Sequence, residues 1–112
     1  THKDLDVWKR SMDLVVKVYD VLVNYKEELY TLGSQIKRCA IPVPSNIAEG
    51  KGRKSTAEFL RFLDIAQGSL SELETQLILC DRLSFFKSDQ IINEDITIIR
   101  KMIYKLKQSL NK

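Results

Sequence analysis

A chain of 112 residues and 13.0 kDa has room for one hydrophobic core and is too short for two domains of ordinary size. With 44% hydrophobic and 29% charged residues, four glycines and two prolines, it is neither a disordered tail nor a low-complexity chain. Eighteen Lys and Arg against 15 Asp and Glu leave a formal charge of +3, which permits an anionic partner without requiring one.

Leu5, Trp8, Met12, Val15, Tyr19 and Leu22 recur at alternating steps of three and four, which predicts a first helix over 5–25 with these residues on its core face. Leu29, Leu32, Ile36, Cys39 and Val43 repeat the pattern over 27–48, so the first two helices are joined by a tight hairpin or bend. Pro42 and Pro44 lack the amide hydrogen a helix interior needs. They predict a kink or a restart, with Pro44 in a first turn and about one further turn through Ile47 and Ala48. Gly50 and Gly52 then supply the positive backbone angles that end it.

The third helix, predicted over 55–84, starts with Ser55 and Glu58 at capping-box spacing. It continues with Phe59, Leu63, Ala66, Leu70, Leu73, Leu77 and Cys80 on one face. Gly68 interrupts its middle at a propensity cost of about 1 kcal/mol, for which close approach by another helix, or else a local bend, is the compensation. Ser69, Glu72 and Gln76 form a polar seam suited to hydrogen bonds between helices or between subunits, and with Gly68 they are the candidate packing or interface residues. A fourth helix over 89–110 carries Ile92, Ile96, Ile99, Ile103, Leu106 and Leu110. Four amphipathic segments with short links close most simply as an all-α, antiparallel up-and-down four-helix bundle, one domain over 1–112.

These stripes leave apolar residues over: Leu14, Val18, Val21 and Tyr25 in the first helix, Phe62, Ile65 and Leu79 in the third, Ile91, Ile98 and Met102 in the fourth. Some widen the core face; the rest predict a homo-oligomer in which a second subunit covers them.

Chemistry is sparse. Gly50-Lys51-Gly52-Arg53 lacks the Walker spacing and follows no strand, so it is a chain reversal and not a nucleotide cradle. What remains there is Lys51, Arg53 and Lys54 beside the amides of a helix start, an arrangement that attracts phosphate. From residue 100 onward Arg100, Lys101, Lys105, Lys107 and Lys112 occur with no acid. Part of that excess complements a helix C-terminus, and the surplus suits a nucleic-acid backbone. Lys51, Arg53, Lys54, Arg100, Lys101, Lys105 and Lys107 are the candidate RNA- or DNA-binding residues. Glu49, Glu58, Asp64, Glu72, Glu74 and Asp81 offer no carboxylate pair free of a simpler role, and His2 is the sole histidine. Cys39 and Cys80 stand alone and read as small buried hydrophobes. No catalytic residue, metal or cofactor is predicted. With no apolar run near the roughly 18 residues of a membrane span and no signal-peptide core, a cytoplasmic location without membrane contact is expected.

Three stretches, WKRSMDLVVKVY at 8–19, ELYTLGSQIKRCAIPVPSNIAEGKGR at 28–53 and the EFLRF, GSLSELETQL run between 58 and 77, resemble the bacterial proteins encoded in intervening sequences of 23S ribosomal RNA genes, the S23 proteins. The resemblance covers nearly the whole chain. Its matching positions include Gln35, Arg38, Pro44, Asn46, Glu49, Gly50, Arg53, Glu58, Gly68, Glu72, Glu74 and Gln76. It implies a four-helix bundle. It also implies a likeness to accessory proteins of diversity-generating retroelements, which form basic pentameric barrels that associate with nucleic acid and a reverse transcriptase. It brings no catalytic residue. Pro42 departs from the small polar residue usual at its position and removes a hydroxyl there. Two functional readings stand: a non-enzymatic oligomeric scaffold that binds RNA or DNA without sequence preference, and a protein-interaction module whose cations serve solubility.

Overall fold

The computed structural model describes residues 1–25 and 30–112; the predicted link at 26–29 and its Leu29 lie outside them. Helices α1 (Asp6–Leu22), α2 (Tyr30–Ala40), α3 (Pro42–Lys51), α4 (Thr56–Arg82) and α5 (Thr97–Leu110) make four rods, because α2 and α3 are one helix bent by 20° at residue 41. No strand occurs among the described residues. Around the bundle the order is α1, α2–α3, α4, α5, with α1 diagonal to α4. Arg100 pairs with Glu74 and Lys107 with Asp64, so partner numbers fall along α4 as they rise along α5, the mark of antiparallel packing. The molecule measures 45 × 20 × 20 Å.

The bend has a covalent cause. Pro42 opens α3 at its first position, which puts Pro44 in the first turn as expected. The α3 backbone is then tied by side chains, with Asn46 Nδ2 donating to the Pro42 carbonyl at 2.8 Å and Ser45 Oγ to that of Ile41 at 3.0 Å.

The α4 face is buried as the spacing predicts, from Phe59 to Cys80, with Phe62 added. Ile36, Cys39 and Val43 of the second rod and Ile96, Ile99 and Ile103 of the fourth are likewise buried as predicted, and the departures lie in α1 and just before α5. In α1 the buried residues are Val7, Ser11, Leu14, Val18 and Leu22, whereas Met12 is 42% exposed and Trp8, Val15 and Tyr19 are half-buried. The stripe read as surplus is thus largely core. Ser11 disguises it, although its hydroxyl fits the interior by donating to the Val7 carbonyl at 2.7 Å. Before α5, Ile91–Ile96 form a wide π-turn that adds one residue to the repeat, so Ile91 is buried and the predicted Ile92 is displaced to the margin.

The α4–α5 connection is locked at both ends. Ser84, the sole described residue with left-handed φ (62°), lets Phe85 N–H reach the Cys80 carbonyl at 3.0 Å and closes α4 in a Schellman turn. Ser88 is buried and donates its amide to Asp81 Oδ1 at 2.9 Å and its hydroxyl to Oδ2 at 2.6 Å.

Candidate nucleic-acid interface

The α3–α4 corner is built by a glycine, for a different reason from the one its sequence suggests. Neither Gly50 nor Gly52 has a positive φ; Gly50 is helical and buried, and a Cβ on it would stand 2.7 Å from Phe62 Cβ and 3.0 Å from Phe59 Cδ1. Its missing side chain lets α3 lie directly on the first turns of α4. Ser55 then caps α4 by accepting from Glu58 N–H at 3.1 Å, one arm of the predicted capping box.

The corner's amides are committed to the chain itself. Gly52 N–H bonds to the Ala48 and Glu49 carbonyls and Arg53 N–H to that of Gly50, while Ser55 takes Glu58 N–H. The amides of Gly52, Arg53 and Glu58 are thus withdrawn from the expected cradle, and attraction for an anion falls largely to the side chains. Lys51 and Lys54 are exposed, with Lys51 Nζ 6.0 Å from the Phe59 ring centroid. The guanidinium carbons of Arg53 and Arg61 lie 4.8 and 4.6 Å from the centroid of the same ring, Phe62, which is buried. One acid touches this group: Glu49 Oε1, 3.5 Å from Arg53. Arg61 is not among the cations that the sequence singles out. The fold places it beside Arg53, and the signal for that was the Gly50 fit, which spacing does not reveal.

The α5 cations divide in two. Arg100 makes a two-pronged contact with Glu74, at 3.1 and 3.3 Å, and Lys107 binds Asp64 and, at 3.3 Å, Gln67. These acids lie far away in sequence, so the acid-free C-terminal run is partly neutralised in space. Lys101 and Lys105 are exposed on the side opposite buried Ile99 and Ile103 and form no ion pair among the described residues.

The Gly68 seam is also reassigned. Among the described residues nothing lies within 4 Å of a Cβ built on Gly68, so no described helix approaches it closely. Glu72 is exposed and accepts from Cys39 Sγ at 3.5 Å across α2 and α4, an interhelical contact within the chain. Burial pushes the Cys39 thiol up, and the Glu72 carboxylate pushes it further. Gln76 is half-buried with Oε1 unpartnered, and Ser69 is half-buried. No group of three or more His, Cys, Asp or Glu side chains suited to a metal ion occurs among the described residues. No helix among them is long and apolar enough to cross a membrane.

The 23S rRNA-intervening sequence proteins match this chain as a family over residues 3–105. A crystal structure at 1.70 Å of a protein of unknown function from the S23 ribosomal protein family of Bacteroides thetaiotaomicron VPI-5482 is 28% identical, with a TM-score of 0.81 over 90% of this chain and 97% of that one. No curated protein matches significantly.

Proposed function

The chain belongs to the 23S rRNA-intervening sequence protein family, and on that premise we propose that it is a non-enzymatic cytoplasmic scaffold that self-associates and holds RNA or DNA by the phosphates at its α3–α4 corner. The observation that carries this reading is the contrast between two basic regions: Arg100 and Lys107 are paired with acids, whereas Lys51, Lys54 and Arg61 share one end of the bundle and form no ion pair among the described residues. Phosphate contacts of this kind position a nucleic acid without reading its sequence, because no element of the corner presents a base-reading edge.

Self-association is supported by the apolar residues that the chain leaves uncovered. Met12 and Ile41, both exposed, line a groove of about 440 Å³ together with Trp8, Val15 and Pro44, and Val16 and Val23 are exposed nearby in sequence. Ile65, Leu79 and Leu83 lie on the α4 face that contains Gly68, Ser69, Glu72 and Gln76. Two such faces on one small bundle suit a closed assembly of identical chains, and five copies is the number implied by the resemblance.

Fluorescence anisotropy with generic RNA and DNA at about 50 and 200 mM salt tests the binding. The native chain is expected to bind more weakly at the higher salt. A variant with glutamine at Lys51, Arg53 and Lys54 should lose most of that affinity, and one with glutamine at Arg100 and Lys107 should keep it. Equal affinity of the corner variant and the native chain would reject the corner. Absence of binding at both salt concentrations would favour a protein-interaction module. Light scattering decides assembly: a persistent mass of 13.0 kDa is incompatible with it.

A further inference from the structure

We infer that Arg53 and Arg61, oriented by the ring of Phe62, grip a single phosphate group between their guanidinium forks. The inference rests on the corner as the phosphate-binding site and adds the pair that forms it, including Arg61, which that reading does not require. Both guanidinium carbons lie within 5 Å of one ring centroid, at 4.8 and 4.6 Å, so they are at most about 9 Å apart. Two guanidinium groups that share one tetrahedral phosphate approach it from different corners, with their carbons separated by less than that limit. Phe62 is buried and its Cβ is fixed against Gly50, so the surface on which both cations rest is rigid. Contact with the ring leaves the N–H groups free to donate outward.

Two like charges on one ring repel each other unless an anion lies between them, and the chain supplies little to fill that role. Glu49 stands 3.5 Å from Arg53 with both side chains exposed, and Arg61 forms no ion pair among the described residues. A phosphate would displace the loose Glu49 contact and engage both arginines. Lys51 and Lys54, on flexible stems, would add charge at the rim without fixing geometry.

The test follows the arginine Nε–Hε resonances of the whole chain during titration with inorganic phosphate and with a short single-stranded RNA, alongside anisotropy of Arg53→Lys, Arg61→Lys and Glu49→Gln. Arg53 and Arg61 should shift together at one midpoint. Each lysine variant should bind RNA about tenfold more weakly with an unchanged salt slope, because the charge stays and the fork is lost. Glu49→Gln should bind more tightly. If phosphate moves both arginines but RNA does not bind, the pair stands as a phosphate site and the nucleic-acid reading falls. If RNA binds while only other arginines shift, or the lysine variants match the native chain, the pair is refuted and the wider reading survives. If neither ligand moves Arg53 and Arg61, the pair is likewise refuted.

Discussion

Replacing Gly50 with alanine tests how the corner is made. The new methyl would sit 2.7 Å from Phe62 Cβ, closer than real Cβ atoms come to any neighbour, and 3.0 Å from Phe59 Cδ1. A ring tip can swing aside, but Phe62 Cβ is attached to the α4 backbone and cannot retreat, so α3 must lift from α4. Overpacking of this kind costs roughly 1–3 kcal/mol, and alanine's better helix propensity offsets about 1 kcal/mol of it. A net loss of up to about 2 kcal/mol is expected, read as a lower urea midpoint by far-UV circular dichroism. The other glycines are internal controls. Gly52→Ala meets nothing closer than 3.5 Å at φ −79° and should be nearly neutral, and Gly68→Ala meets nothing within 4 Å and should gain up to about 1 kcal/mol. If Gly50→Ala matched Gly52→Ala in stability, the close-approach account of the corner would be wrong. If Gly68→Ala stabilised the fold but lowered the mass measured by light scattering, Gly68 would lie in a contact between copies.

Ser84→Gly should raise stability by roughly 1 kcal/mol in the same urea assay, since serine holds a left-handed φ of 62° that glycine adopts without strain. Ser88→Ala should cost about 1–3 kcal/mol, because Asp81 Oδ2 loses the hydroxyl that donates to it at 2.6 Å. Burial pushes the Cys80 thiol up to about 11 from 9.0. The folded chain therefore keeps a proton that the unfolded chain releases, so its contribution is complete below pH 9 and declines as pH rises towards 11, by at most about 1.4 kcal/mol per pH unit. Urea curves at pH 8 and pH 10.5 for the native chain and Cys80→Ala should show a smaller alkaline loss in the variant. Arg100→Gln should cost less than about 1 kcal/mol, as its pair with Glu74 is partly exposed, and should leave RNA affinity unchanged.

The sequence by itself determined what each segment does along its own axis. The repeat from Phe59 to Cys80 named the α4 core face, Ser55 marked that helix's start, Pro42 and Pro44 located the bend, and the ordered motifs identified the family. Periodicity reports an angle around one helix and is silent about what stands opposite. On α1 two stripes overlap, and only packing against α2, α3 and α5 chose the one through Leu14 and Val18. The π-turn at Ile91–Ile96 moved the buried position ahead of α5 from Ile92 to Ile91, a change no fixed spacing anticipates. Gly50 and Gly68 look alike as letters, yet one touches Phe62 and the other faces open space, because a missing side chain acquires meaning only from its neighbour. Charge followed the same rule: Glu74 and Asp64 reach Arg100 and Lys107 across the α4–α5 interface, and Arg53 joins Arg61 at Phe62 because α3 folds back onto α4. Coulombic and ring contacts act over a few ångströms of space, and tertiary structure alone decides which residues fall within that range.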